Sequence, residues 1–98
     1  ANTIHIMHWP EVVAMFRGLG QYLKREADLL VYGPFNYNGD YTSDSNARFD
    51  EWLKERDPLS GIKDFEDVNQ LASEAGMELI NDYAMPANNR MLHWRKSF

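Results

Sequence analysis

Hydrophobic residues in the first third of the chain follow two different periods. Residues 3–7 are β-branched and apolar at alternating positions, which predicts a short strand. Residues 10–23 open with a proline and a glutamate, which suit a first helical turn, and then repeat apolar residues at helical spacing. Residues 29–32 form an unbroken apolar run, which is typical of a strand buried on both faces. A strand, a helix and a strand in this order predict a βαβ unit with two parallel strands.

The rest of the chain predicts two more helices and a hairpin. Residues 45–56 place apolar side chains at helical spacing, and residues 65–75 do the same between an aspartate and a glycine, which suit the two ends of a helix. Apolar residues alternate along residues 77–85, and residues 91–95 predict a closing strand antiparallel to them. We therefore expect an α/β fold with the order β-α-β-α-α-β-β, in which two parallel strands precede a C-terminal antiparallel hairpin.

Composition excludes several classes of function. The 98 residues have room for one domain, and the lack of cysteine excludes a disulfide scaffold, a thiol nucleophile and a Cys-ligated metal site. Ten Lys and Arg residues against 15 Asp and Glu residues give a net charge of −5, which argues against nucleic-acid binding. No apolar run approaches the ~20 residues of a membrane span. We expect a cytoplasmic protein with neither a nucleic-acid nor a membrane partner.

Six short sequence phrases occur in order along nearly the whole chain. They are Asn2-Thr3-Ile4-His5-Ile6, Trp9-Pro10-Glu11, Val31-Tyr32-Gly33-Pro34-Phe35, Ser45-Asn46-Ala47-Arg48-Phe49-Asp50, Arg56-Asp57-Pro58 and Met85-Pro86-Ala87-Asn88-Asn89. Together they resemble the C-terminal half of class I S-adenosylmethionine-dependent methyltransferases and, among these, the family of methyltransferase-like protein 26. The resemblance implies that residues 1–98 form a single domain with a partial Rossmann-like sheet.

The resemblance also implies that the cofactor-binding half of the fold is absent. That half carries a Gly-rich loop that cradles the cofactor, and none of the six glycines here lies in such a pattern. We expect a fragment or truncated relative of a methyltransferase, which contributes part of the acceptor pocket, binds no S-adenosylmethionine by itself and is inactive alone. The alternative is a truncated, self-associating structural or small-ligand-binding module without catalysis.

Candidate site residues follow from the rule that doubly wound sheets bind ligands beyond the carboxyl ends of their strands. By the resemblance, the end of the first predicted strand borders the cofactor and the acceptor, and the end of the second borders the acceptor. The cofactor-side candidates are His5, His8 and Trp9. The acceptor-side candidates are Gly33, Phe35, Asn36, Tyr37 and Asn46.

Most of these residues also have a structural interpretation. His5 is either a pocket residue, useful as a base where the acceptor must lose a proton, or a core histidine. His8 suits a strand-to-helix turn, and Asn46 suits a helix cap. The His-x-x-His spacing of His5 and His8 has no evident third ligand, so no metal is expected. The stripe of residues 49, 52 and 53 is typical of core packing.

The predicted strand at residues 3–7 would have one edge without a partner if the N-terminal half is absent. Native edges are blunted by lysine, proline or a bulge, and residues 3–7 contain neither lysine nor proline. Two copies that meet about a two-fold axis pair such strands antiparallel. We therefore expect a homodimer with residues 3–7 at or near its centre.

Overall fold

Three α-helices and three β-strands follow one another within residues 4–97, the part of the chain that the computed structural model describes. Their bounds are α1 (Trp9–Tyr22), β1 (Asp28–Gly33), α2 (Asp44–Arg56), α3 (Phe65–Glu74), β2 (Met77–Met85) and β3 (Asn89–Lys96). A 3₁₀ turn, Pro86–Asn88, connects the last two strands. From α1 onward the order of elements agrees with the sequence prediction. No helix within the described residues is long and apolar enough to cross a membrane.

The three strands form one antiparallel sheet in the order β1-β3-β2. Asp28 of β1 lies opposite Arg95 of β3, and Met77 of β2 lies opposite Lys96. The predicted hairpin of β2 and β3 is confirmed, but β3 also pairs with β1 and so occupies the centre of the sheet. The predicted pair of parallel strands, and with it the βαβ unit, is not found among residues 4–97.

The N-terminal segment differs most from its prediction. Residues 4–7, here called the N-terminal turn, form a turn and a bend rather than a strand. The reason is local hydrogen bonding, because the Met7 N–H donates to the Ile4 carbonyl at 3.2 Å. Thr3 lies outside the described residues. The strand edge on which the homodimer prediction rests is therefore not formed by residues 4–7, and self-association stays a prediction.

One hydrophobic core lies between α1, α3 and one face of the sheet. The Phe16 and Trp94 rings meet edge to face at its centre, with centroids 5.7 Å apart. The other fully buried members are Val12, Val31, Phe35, Val68, Ala72 and Leu92. The opposite face of β1 is more open, since Leu30 is 50% exposed. The prediction that this strand is buried on both faces is therefore wrong for the described part of the chain.

The packing of α1 against the end of α3 depends on a glycine. A Cβ atom at Gly20 would lie 2.9 Å from both the Cβ and the carbonyl oxygen of Ala75, whereas one at Gly18 would meet nothing within 4 Å. We expect Gly20→Ala to lower the free energy of unfolding by about 1–3 kcal/mol, because it overpacks this contact. Gly18→Ala should raise it by up to about 1 kcal/mol, because alanine favours a helix. Urea denaturation measures both, and equal effects would contradict the close approach.

Candidate functional site

A cavity of about 430 Å³ lies beyond the carboxyl end of β1, where α/β sheets bind ligands. The end of β1, the first turns of α2, the β2–β3 connection and the N-terminal turn form its wall. The lining residues are His5, Tyr32, Gly33, Pro34, Ser45, Asn46, Phe49, Ala87 and Asn89. These lining residues include no aspartate, glutamate, lysine or arginine. We call this space the candidate cavity.

The N-terminal turn brings His5 to the candidate cavity. Gly33 has a φ of 156°, which glycine adopts readily, and a Cβ there would lie only 3.4 Å from His5 Nδ1. The imidazole is tilted against the Phe49 ring, with centroids 5.6 Å apart. Within residues 4–97, no group donates or accepts a hydrogen bond at either ring nitrogen. Both nitrogens are therefore available to a ligand.

The environment of His5 favours the uncharged imidazole. Burial is the main cause that lowers the pKa of His5, and the positive charge of Lys63 lowers it further. The ring is consequently neutral at pH 7, with one nitrogen as a hydrogen-bond donor and the other as an acceptor. A neutral imidazole at the wall of a cavity can take a proton from a bound hydroxyl group.

The β2–β3 connection is held against α2 and β1 by side-chain amides. Asn46 Nδ2 donates to the Asn88 carbonyl at 3.4 Å, and Asn89 Nδ2 donates to the Tyr32 hydroxyl at 3.1 Å. Ala87 and Asn88 both have positive φ, 61° and 59°, which is unusual for an alanine. The amide contacts therefore maintain a strained backbone segment at the edge of the candidate cavity.

The candidate cavity brings together three of the predicted site residues: His5, Gly33 and Asn46. They come from the N-terminal turn, from β1 and from α2. Their function as ligand-binding residues stays a prediction.

His8 and Trp9 are not among the residues that line the candidate cavity. His8 is the N-cap residue of α1, and its Nε2 lies 2.5 Å from Asp57 Oδ2 at the end of α2. This hydrogen bond is the main cause that lowers the pKa of Asp57. His5 and His8 thus have separate environments, and no cluster of three or more His, Asp or Glu residues within residues 4–97 could hold a metal ion.

The predicted site residues that follow β1 make structural contacts in this chain. Phe35 belongs to the core, and the buried Asn36 has an Oδ1 without a hydrogen-bond partner within residues 4–97. The Tyr37 hydroxyl donates to Asp82 Oδ2 at 2.6 Å, and its ring stacks on Phe65 with centroids 5.2 Å apart. Burial and the hydrogen bond to Asp82 raise the pKa of Tyr37, so this phenol stays protonated.

Sequence reasoning missed most of the aromatic and turn residues of the candidate cavity. The stripe of residues 49, 52 and 53 was predicted to belong to the core, but only Leu53 is buried. Phe49 lines the candidate cavity, and Trp52 is 49% exposed. Tyr32 and Asn89 meet across the cavity wall although 57 positions separate them. Ser45 and Phe49 both line the cavity and lie one helical turn apart. Their i, i+4 spacing places them on one face of α2, and this spacing is the sequence signal that could have identified Phe49.

Several of the solved structures similar to this chain are those of O-methyltransferases. An O-methyltransferase family 2 protein from Planctomyces limnophilus, in complex with apigenin, matches 98% of this chain with a TM-score of 0.84 and 15% identity. An O-methyltransferase family protein from Burkholderia thailandensis matches 98% with a TM-score of 0.82 and 12% identity. Mitomycin 7-O-methyltransferase MmcR matches 96% with a TM-score of 0.76 and 18% identity. This α/β domain, with its antiparallel sheet, therefore has a methyltransferase-like fold.

The matched region is a small part of each neighbour. This chain spans 28%, 28% and 27% of the length of those three proteins. These likenesses do not support the narrower resemblance to methyltransferase-like protein 26. Residues 1–96 match the sequence family described as "Protein of unknown function (DUF938)". Because the match extends over nearly the whole chain, this protein belongs to the DUF938 family.

Proposed function

We propose that this chain forms the acceptor side of an S-adenosylmethionine-dependent O-methyltransferase-like protein. The observation that carries the proposal is the His5 imidazole, which lines a cavity beyond the carboxyl end of β1 without a hydrogen-bond partner within residues 4–97. The fold shared with O-methyltransferases supports it. The closer relation to methyltransferase-like protein 26 is part of this proposal and rests on the six sequence phrases.

The described residues do not fit the cofactor itself. The cofactor would supply the methyl group, and its cradle needs clustered glycines after a strand. The glycines with positive φ in residues 4–97 are isolated from one another, at positions 33, 39, 61 and 76. We therefore assign no cofactor contact to this chain and derive the chemistry of the acceptor alone.

The lining residues indicate an uncharged aromatic hydroxyl compound as the acceptor. The Phe49 and Tyr32 rings offer flat apolar surfaces, and aromatic ligands gain from offset or edge contacts with such rings. A charged group would be costly to bury there, because the lining residues supply no opposite charge. In this proposal, His5 accepts the proton that the acceptor hydroxyl releases as the oxygen is methylated.

Binding of a neutral phenol tests this proposal on the chain as it is. We expect 2-naphthol to shift the NMR signals of His5 and Phe49 and to bind more tightly than 2-naphthoate, which has the same rings with a carboxylate. His5→Ala should weaken 2-naphthol binding about fivefold, the equivalent of one hydrogen bond of about 1 kcal/mol. The melting temperature should change little.

His93→Ala is the matched control for that experiment. His93 bonds to Asp28 through Nε2 at 2.8 Å and is not among the cavity-lining residues, so its loss should leave 2-naphthol binding unchanged. Equal binding by the wild-type and His5→Ala chains would contradict the proposal. Tighter binding of 2-naphthoate than of 2-naphthol would contradict the proposal that the acceptor is uncharged.

A second candidate function is a self-associating, small-ligand-binding module without catalysis. It is favoured by the candidate cavity itself, whose wall is formed by the N-terminal turn, β1, α2 and the β2–β3 connection. The DNA upstream of the codon for Ala1 separates the two candidates. An in-frame segment that encodes a strand followed by Gly-x-Gly favours the methyltransferase. A start codon directly before Ala1, together with a dimer in light scattering, favours the module.

A further inference from the structure

Lys63 binds the N-terminal turn through its ammonium group. Nζ donates to the carbonyl oxygens of Met7 and Gly61, both at 2.7 Å. No carboxylate within residues 4–97 lies within 4 Å of this nitrogen. Lys63 therefore places a positive charge without a close counterion beside the turn that carries His5.

The loop that carries Lys63 contacts every backbone carbonyl between His5 and Met7. The Gly61 N–H donates to the His5 carbonyl at 3.0 Å, and Ser60 Oγ donates to the Ile6 carbonyl at 2.5 Å. With the Lys63 contact to Met7, three successive carbonyls of the N-terminal turn are bound by residues 60–63. The position of the imidazole in the candidate cavity thus depends on this loop.

The charges around Lys63 come from two helices, α1 with Glu11 and α2 with Asp50 and Lys54. Burial lowers the pKa of Lys63, Asp50 and Glu11 raise it, and Lys54 lowers it. Asp50 Oδ2 accepts a hydrogen bond from Lys54 Nζ at 3.1 Å, and Asp50 Oδ1 accepts one from the Ile62 N–H at 2.9 Å. Asp50 thus makes its close contacts with other donors, and the Lys63 charge opposes protonation of the His5 ring.

We propose that Lys63 is a positioning residue that acts on the candidate site through His5: it anchors the N-terminal turn and keeps a positive charge beside the imidazole. The catalytic meaning of this arrangement rests on the proposed function, in which His5 must be uncharged to take the acceptor's proton. A neighbouring cation opposes protonation of the ring before the acceptor binds.

NMR titration of the His5 ring in the isolated chain tests the proposal without any activity measurement. The wild-type pKa should lie below 6.5, and Lys63→Met should raise it by about half a unit or more, because a nearby like charge is removed. Lys63→Arg keeps the charge and should keep the wild-type value. Ser60→Ala removes one bond to the same turn without a change of charge, so it should raise the pKa less than Lys63→Met does.

If the Lys63→Met chain does not fold, a second measurement on the wild-type chain tests the proposal. Added salt screens charges, so the pKa of His5 in the wild-type chain should rise as the salt concentration increases. A His5 pKa that responds neither to salt nor to Lys63→Met would overturn the proposal. So would equal shifts from Ser60→Ala and Lys63→Met, since these would reflect loosening of the turn alone. Failure of 2-naphthol to bind would overturn the proposed function and leave the titration result intact.

Discussion

Replacing Trp94 with alanine is expected to lower the free energy of unfolding by about 3–5 kcal/mol. Trp94 lies on the central strand, is fully buried, and packs edge to face against Phe16. Its Nε1 donates to Asn69 Oδ1 at 2.9 Å, so the substitution also leaves a polar partner unsatisfied. Because domains of this size have a total stability of about 5–15 kcal/mol, this variant should lose a large share of its stability.

Trp52→Ala is the matched control for this prediction. Trp52 is 49% exposed, and its contacts are a stacked Phe49 ring and the Arg56 guanidinium 4.6 Å above its centroid. Such surface contacts are worth at most about 1 kcal/mol. Urea denaturation monitored by circular dichroism measures both variants. Similar midpoints for Trp94→Ala and Trp52→Ala would show that Trp94 is not the centre of the core.

Replacing Asp50 with alanine is expected to lower the free energy of unfolding by about 2–4 kcal/mol. The Asp50 side chain is 2% exposed and connects three parts of the chain. It accepts hydrogen bonds from the Tyr41 hydroxyl, from the Ile62 N–H at 2.9 Å and from Lys54 Nζ at 3.1 Å. The hydrogen bond to Asp50 raises the pKa of Tyr41 to about 12, so that phenol remains the donor.

The contribution of Asp50 should depend on pH. Burial alone would raise the pKa of Asp50, but hydrogen bonds from Tyr41, Ile62 and Lys54 outweigh it and hold the pKa below its ordinary value of 3.8. A carboxylate whose pKa is lower in the folded state than in the unfolded state stabilises the fold at pH values above its unfolded-state pKa. This stabilisation is lost as the pH falls through the pKa of the folded state. The stability difference between wild type and Asp50→Asn should therefore shrink below about pH 4.

Glu51→Ala is the control, because the neighbouring Glu51 is exposed and should contribute less than about 0.5 kcal/mol. Chemical denaturation of the wild type and of the Asp50→Ala, Asp50→Asn and Glu51→Ala chains at pH 7 and at pH 3 gives the comparison. A difference between wild type and Asp50→Asn that stays constant from pH 7 to pH 3 would show that the Asp50 charge does not stabilise the fold.

Elements with local signals were predictable from the sequence. The helical spacing of apolar residues located α1, α2 and α3, and Gly76, with a φ of 84°, follows the C-cap of α3 as expected. The hairpin of β2 and β3 also followed from alternation and an intervening turn. Each of these patterns is decided by neighbours within a few residues, which is why one sequence is enough to find them.

Pairing between segments that lie far apart in the chain could not be predicted from the sequence. Ile4 and Ile6 alternate, which predicts a strand with both side chains on one face. In the observed turn Ile4 is buried and Ile6 is 55% exposed, and hydrogen bonds to residues 60–63 hold the turn. The pairing of β3 with β1 joins residues far apart in the chain and has no local signature. Alternation predicts which side chains share a face of a strand, and it does not specify the strand with which the backbone pairs.

The candidate site was predictable in part for the same reason. His5, Gly33 and Asn46 came from the resemblance and line one cavity. Asp50 and Lys63 lie in polar stretches that look like solvated surface, and only their burial reveals that they organise the loops around His5. A buried charge on an amphipathic helix is not distinguishable from a surface charge by its spacing.

The central place of β3 has a consequence for how the chain acquires its structure during synthesis. Asp28 and Arg95, which bond across β1 and β3, are 67 positions apart, so β1 leaves the ribosome long before its described partner exists. β2 is made before its neighbour too, since it also pairs with β3. Pairings of this range form slowly and leave apolar strands exposed in the meantime. Until β3 is made, β1 and then β2 of the described chain lack the strand that joins them into one sheet.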